Sequence, residues 1–358
     1  MAKAKEIDGL DCGASVSQGA MLVLRTRLEE MCALRAAALD WSDVEGVHDM
    51  RVASRRLRSA MRDFTPYLRK SKLSRSGKAL KRVARALGTV RDQDVAIMAL
   101  DELKRDASEE VAAGIERLVA ECEAERDKAR AVLAEAISEG KIAKLQGEFI
   151  YALEHATKLQ RQRKKRSADV DGQSTVGTSF RQAGRDIIAA SFEELRKLSA
   201  SLYQPSRTRP LHRMRIAAKR LRYLVELYTQ CWGEQLTSFA AEIAEMQSHL
   251  GELHDCDEWI AVLSARLRAL PSESSATDAE AGTEGIITER RSSVWLLGHF
   301  VKTRTKHYRA ALALWDEWEQ KSFAANLMAS LDEGSESIDL APLTLSASEA
   351  VASDLQSA

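Results

Sequence analysis

The sequence is poor in residues that break or staple a chain. Among 358 residues there are 5 prolines, and aromatic residues make up 5%. That scarcity argues against a turn-rich sheet fold and favours long helices. The five cysteines, Cys12, Cys32, Cys122, Cys231 and Cys256, form no CxxC pair and are odd in number. The pattern points away from a disulfide framework and a zinc site, and predicts reduced thiols in a cytosolic-type compartment. No apolar run approaches the ~20 residues that span a bilayer, and the first residues lack the apolar core of a signal peptide. A soluble, cytoplasmic protein without a membrane partner is expected. There is no GxxxxGK[ST] phosphate loop, and no Ser/His/Asp or Cys/His arrangement stands out. The expectation is a protein that is not an enzyme and carries neither cofactor nor metal.

What the chain has in quantity is charge. Charged residues make up 30%, with 53 basic and 53 acidic side chains in balance, and 45% of the chain is apolar. The balance conceals segregation along the chain, which says more than the total.

Helical periodicity runs over about residues 16–39 and 42–69, with Asp43 in the first turn and Pro66 near the end. It continues over about 73–87, where Gly88 reads as a C-terminal cap, and resumes near Asp92. Further helices are expected over 108–137, 141–166, 179–202, 210–232, 235–250 and 253–270, with a long final helix carrying Trp295, His299, His307 and Trp315. The tryptophans, Trp318 included, fall at helical spacing and read as core. Polar, aperiodic residues 167–178 read as a linker, residues 271–285 as a mobile acidic loop, and residues 332–358 as a disordered acidic tail.

The main signal is a repeat. "VHDMRVASRRLRSAMRDF" (Val47–Phe64) returns as "LHRMRIAAKRLRYLVELY" (Leu211–Tyr228), offset by 212 − 48 = 164 residues. "LGTVRDQDV" (Leu87–Val95) returns as "LGELHDCDE" (Leu250–Glu258), offset by 251 − 88 = 163. Two motifs at nearly one offset predict an internal duplication. The fold expected is all-α, with two tandem antiparallel helical bundles related by a pseudo-twofold: an N-terminal half over 14–166 and a C-terminal half over 179–325.

On a helix, His48, Arg51, Arg55, Arg58 and Arg62 fall within an arc of roughly 80°. Met50, Ala53, Leu57, Ala60, Met61 and Phe64 lie opposite. In the echo, His212, Arg215, Lys219 and Arg222 share a stripe, which Glu226 interrupts where Arg62 continued it. Between His48 and Arg91 the only acids are Asp49 and Asp63, whereas Lys81, Arg82, Arg85 and Arg91 add cations. Like charges at i,i+4 destabilise a helix, and a solvated face would interleave glutamates. A ligand with many negative charges fits better than a bland surface neutralised by acidic helices elsewhere. Arginine forks suit phosphate, and rows at helical pitch suit a linear polyanion.

These strings, HxMRxxxRRxR at Val47–Arg58, HxMRxxxKRxR at Leu211–Arg222 and LGxxRDxD at Leu87–Asp94, resemble the CHAD family, the conserved histidine α-helical domain. The resemblance covers roughly residues 14–325. It implies paired helical bundles, basic residues lining a central surface, and non-catalytic binding of inorganic polyphosphate at polyphosphate granules, where granule-associated proteins are conceivable partners. The family's histidine falls on His48 and His212. Its basic positions fall on Arg51, Arg55, Arg56 and Arg58, and on Arg215, Lys219, Arg220 and Arg222. His254 stands where the first half has Arg91, and Glu242 and Glu245 lie near the counterparts of Arg82 and Arg85, so the first half is expected to bind more strongly.

The same residues admit rival readings. Nucleic acid is also a phosphate polymer, but the stripes carry almost no base-reading side chains apart from Tyr223. A metal-dependent phosphohydrolase could use His48-Asp49 or His254-Asp255, yet neither pair survives the repeat. The aspartates that do survive, Asp92/Asp255 and Asp94/Asp257, read as helix caps or as partners that orient the arginines, ahead of a magnesium pair. If His48 and His212 bind as imidazolium, affinity rises as pH falls.

Overall fold

The amphipathic runs form ten α-helices in the computed structural model, which describes residues 5–68, 70–171, 178–271 and 280–336. They are α1 (Val16–Ala33), α2 (Val44–Asp63), α3 (Lys70–Lys104), α4 (Glu109–Ala136), α5 (Glu139–Asp171), α6 (Phe180–Leu198), α7 (Thr208–Trp232), α8 (Gln235–Ala269), α9 (Glu280–Gln320) and α10 (Phe323–Glu336). Among the described residues there is no strand; one antiparallel bridge, Ser15 to Ser179, joins the starts of α1 and α6. No described helix is long and apolar enough to cross a membrane.

Sequence signals at the helix ends act as physics requires. The Asp43 side chain caps α2, accepting a hydrogen bond from the Glu45 backbone N–H at 2.9 Å. Pro66 sits in a short 3-10 turn, Thr65–Tyr67, that ends the helix.

Gly88 and Gly251 correct the expected breaks. α3 and α8, 35 residues each, pass straight through them. A mid-helix glycine costs about 1 kcal/mol, but Leu87 and Val90 beside Gly88, and Leu250 and Leu253 around Gly251, are fully or almost fully buried. That burial outweighs the glycine's cost. Three irregular segments are shorter than expected: residues 167–171 belong to α5, 280–285 to α9 and 332–336 to α10. Residues 172–177, 272–279 and 337–358 of those segments lie outside the described residues.

Within each half, consecutive helices pack on one another through the fourth, and α5 closes on α1 and α3 as α10 closes on α6 and α9. Between halves, α1 meets α6, α2 meets α7 and α4 meets α9. The main core is continuous across both halves, running from Leu24, Leu28 and Met50 through Phe180 to Leu221, Tyr228 and Trp315. The Phe180 ring lies between Phe64 and Tyr228, tilted by 34° to each, with centroids 5.7 and 4.8 Å apart. Two glycines permit this: a Cβ on Gly19 would stand 2.2 Å from the Phe180 ring, and one on Gly184 2.4 Å from the Tyr228 ring. A second cluster, with Leu100, Ile115, Leu263 and Leu296, joins α3, α4, α8 and α9. Trp315 and Trp318 are core residues, as their spacing implied.

The cysteines are a further correction. Cys12 and Cys231 are joined in a disulfide across 219 residues of sequence. Spacing gave no hint of it, because the fold creates the proximity: the segment before α1 returns to α7. There Ile7 is buried and its backbone exchanges hydrogen bonds with the Gln230 side chain. Cys32, Cys122 and Cys256 remain thiols. Burial pushes Cys32 and Cys256 up to about 11, so they are poor nucleophiles at neutral pH.

Candidate anion-binding surface

The contact between α2 and α7 brings the two stripes together. Arg51 and Arg55 from α2 come near Arg215 and Lys219 from α7, close enough that the charges of Arg51, Arg55 and Arg215 act on Lys219. Arg55 Nη1 donates to Tyr223 Oη at 3.5 Å. Three guanidiniums and one amine therefore converge on one surface shared by both halves.

The LGxxRDxD motif and its echo supply the support. In each half the glycine faces the first stripe arginine: a Cβ on Gly88 would lie 3.8 Å from Arg51 Nε, and one on Gly251 3.9 Å from Arg215 Nε. Four residues on, Asp92 holds Arg51 at 3.1 Å and Asp255 holds Arg215 at 3.6 Å. The second aspartate, two residues further and so on the far side of the helix, points the other way. Asp94, 2% exposed, lies 3.9 Å from Arg126 of α4, and Asp257 lies 2.5 Å from Arg304 of α9. These aspartates orient arginines in mid-helix, which replaces the capping role that a helix start at Asp92 would have required. Buried donor atoms remain without hydrogen-bond partners at Arg91 Nη1 and Arg215 Nε.

The histidines flank the cluster. His48 lies close to Arg91 and Arg55, and burial followed by the Arg91 charge pushes its pKa below the ordinary imidazole value. His212 and His254 meet Nδ1 to Nδ1 at 3.2 Å, and both are pushed down, by burial first and then by Arg215. One ring of that pair must accept, so the two cannot both be protonated at Nδ1. Burial and the neighbouring arginines thus favour the neutral form of these histidines in the protein without a ligand.

Lys219 is the most perturbed cation. Burial, then Arg55, Arg215 and Arg51, bring its pKa down to about 6, against a small opposing pull from Asp255. An ordinary lysine titrates near ~10.4. Between these values the unfolded chain holds one proton more than the folded chain, so stability rises with pH across the window. Lys219→Met is therefore expected to stabilise the fold at pH 7 by about 1–3 kcal/mol. Urea denaturation should show that gain shrinking as pH approaches about 10; an unchanged or lower stability at pH 7 would contradict this placement.

Other predicted site residues lie elsewhere. Arg56 is turned towards α1, with Nη1 3.9 Å from Glu30. Arg220 pairs with Glu194 of α6 at 2.8 Å. Arg222, 7% exposed, is held by Glu226 at 2.6 Å and by Gln247 of α8 at 3.4 Å. In this structure the guanidiniums of these three pair with acids of their own or neighbouring helices and stand apart from the α2–α7 cluster. Arg62 is on the α2 stripe but bends back to Asp63 at 2.6 Å. Arg58 stays exposed beside it and borders a cleft of about 220 Å³ with Met61, Leu73, Ser74 and Gly77. Lys81 and Arg85 lie on the α3 row that leads to Gly88 and Asp92, and Arg82 lies beside that row; all three are exposed. The second half has Glu245 at the counterpart of Arg82, 3.9 Å from His249.

Glu45, His48 and Asp49 offer donor atoms within 4.8 Å of one another. Arg91 and Arg55, both acting on His48, oppose a cation there.

Solved proteins share this architecture with the chain. It resembles the crystal structure of the CHAD domain from the plant Ricinus communis, with a TM-score of 0.63 and 21% identity, over 87% of this chain and 96% of that one. It also resembles PptA from Streptomyces chartreusis, with a TM-score of 0.52 and 13% identity, over 83% of this chain and all of that one. No curated protein matches it. The CHAD domain model matches residues 22–264. The chain belongs to the CHAD domain family, which is associated with polyphosphate-related proteins.

Proposed function

We propose that the chain binds inorganic polyphosphate without catalysing its reaction, and that one polymer crosses from the first half to the second. The observation that carries this reading is the convergence of Arg51, Arg55, Arg215 and Lys219 where α2 meets α7. A cluster of like charges raises the energy of the empty protein, and a polyanion lowers it. Lys81, Arg82 and Arg85 extend the track along α3, so the first half is the stronger arm. The matched support of Arg51 and Arg215 also favours an origin by duplication, with a pseudo-twofold between the halves. A role in targeting to or organising polyphosphate granules follows from such binding.

Competition tests the choice of polymer. Fluorescently labelled polyphosphate bound to the protein is expected to be displaced by unlabelled polyphosphate at least tenfold more readily than by RNA of equal charge. Equal displacement would move the reading to nucleic-acid backbone, and no displacement by either would move it to an acidic protein partner.

The titrating groups add a pH signature. A bound polyanion raises the pKa of Lys219 and the flanking histidines, so binding takes up protons. Affinity is expected to rise as pH falls from about 8 to 6, by up to about tenfold per unit for each proton taken up, and to level off once Lys219 is protonated without ligand. Calorimetry in buffers of different ionisation enthalpy reads that uptake directly, and a pH-independent affinity would contradict it.

A further inference from the structure

α8 and α9 pack along their length, and the pairs Arg266–Glu289, Asp257–Arg304 and His249–His307 show that they run antiparallel. Met246, Leu250 and Leu253 of α8 and Ala311 and Leu314 of α9 are buried, so packing fixes the backbone that carries His249 and His307. The two partly buried rings meet Nδ1 to Nδ1 at 3.1 Å, with their planes inclined by 46°. Two imidazole nitrogens that share one tetrahedral zinc-type ion, each about 2.0–2.1 Å from it, lie about 3.3 Å apart. The pair is within about 0.2 Å of that spacing. Glu245 stands one turn before His249, with Oε1 3.9 Å from His249 Nε2. A carboxylate at the nitrogen remote from an ion is the outer contact that turns the other nitrogen's lone pair towards a metal. The exposed Glu252 follows His249 by three residues and shares that face of α8, and its charge acts on His307. Charge separates this pair from the other histidines. Two carboxylates stand by it against one ammonium, Lys306. At His212 and His254, by contrast, Arg215 acts on both rings, and Arg91 and Arg55 act on His48.

We propose that His249 and His307 form a binding site for a divalent transition metal of the zinc type, with Glu252 as an oxygen ligand, water in the remaining position and Glu245 holding the His249 tautomer. Imidazole suits zinc, copper and nickel, whereas magnesium and calcium take oxygen ligands. In the metal-free pair one N–H lies between the rings, because one Nδ1 must donate and the other accept. With the ion both Nδ1 lone pairs face it, and that proton moves to the outer Nε2 of its own ring. The ion then ties α8 to α9 and stabilises the folded chain by mass action. The site uses none of the residues of the α2–α7 surface. Sequence spacing gives no sign of it, because His249 and His307 are 58 residues apart on different helices.

Zinc is the probe, in titration calorimetry on the full chain without polyphosphate, and cobalt is its spectroscopic substitute. The parent is expected to bind one zinc per chain, to melt at a higher temperature with zinc, and to ignore magnesium at the same concentration. His249→Ala and His307→Ala should each weaken zinc binding at least tenfold, and Glu245→Gln by about tenfold. Circular dichroism should show all three folded, since neither histidine is in the core. Cobalt should give the visible bands of a four-coordinate ion in the parent and lose them in His307→Ala. His155→Asn, on α5, should leave zinc affinity unchanged. A parent that binds no zinc would overturn the inference and leave the pair as a hydrogen bond between neutral rings. Zinc binding that survives both histidine substitutions would also overturn it. Binding lost in His48→Ala and kept in His307→Ala would place the ion at Glu45, His48 and Asp49, against the inference.

Discussion

Arg51→Ala/Arg55→Ala/Arg215→Ala is expected to bind long-chain polyphosphate roughly a thousandfold more weakly than the parent at moderate salt. Charge-assisted hydrogen bonds contribute about 1.5–3 kcal/mol each, and the three guanidiniums lie where α2 meets α7. The variant should fold at least as well as the parent, because it removes repulsion between like charges whose carboxylate partners, Asp92 and Asp255, lie at 3.1 and 3.6 Å on the accessible edge. Lys81→Ala/Arg82→Ala on the exposed face of α3 serves as the comparison, with an expected loss of only about three- to tenfold. Titration calorimetry with circular dichroism on both variants checks this. Equal losses in the two would mean that the central convergence has no special part and that the protein is a diffuse cationic surface.

Removing the Cys12–Cys231 disulfide is expected to have the largest effect on stability. The bond closes 219 residues and pins the segment before α1 to the end of α7, where Ile7 is buried against the core. Constraining so long a loop in the unfolded chain stabilises the fold by about 2–5 kcal/mol. Cys12→Ser/Cys231→Ser should lose that amount in urea denaturation. A reductant should lower the parent to the same level and leave the variant unmoved. A parent indifferent to reductant, matching the variant throughout, would show that the cross-link contributes nothing.

Much of the helical framework was legible because periodicity of apolar residues is a direct image of burial. The edges were not. Gly88 and Gly251 carry the local signature of a helix end, yet tertiary packing of Leu87, Val90, Leu250 and Leu253 carries the helices through. Their reason is visible only in three dimensions, since each faces a stripe arginine on a neighbouring helix. The disulfide was invisible for a similar cause, because the proximity of residues 219 apart is a product of the fold.

Within the site, the i,i+3 and i,i+4 stepping of His48, Arg51 and Arg55, and of His212, Arg215 and Lys219, marked the residues that do come together. Arg56 and Arg220 follow stripe members by one position, about 100° round the helix, and so turn to α1 and α6. Arg222 is on the stripe by angle, but Glu226, one turn later, claims it. That acid was the available sequence signal. The doubled aspartates were readable as arginine partners, and their division between stripe and hairpin follows from a spacing of two on a helix.

The central claim is that a single polyanion spans both halves of the chain. A structure of the protein with bound polyphosphate tests it most directly. The account predicts one continuous polymer with phosphate oxygens within hydrogen-bonding distance of Arg55 on α2 and Arg215 on α7 at once. A polymer confined to the outer face of α3, around Lys81, Arg82 and Arg85, with Arg215 and Lys219 left without phosphate, would contradict it.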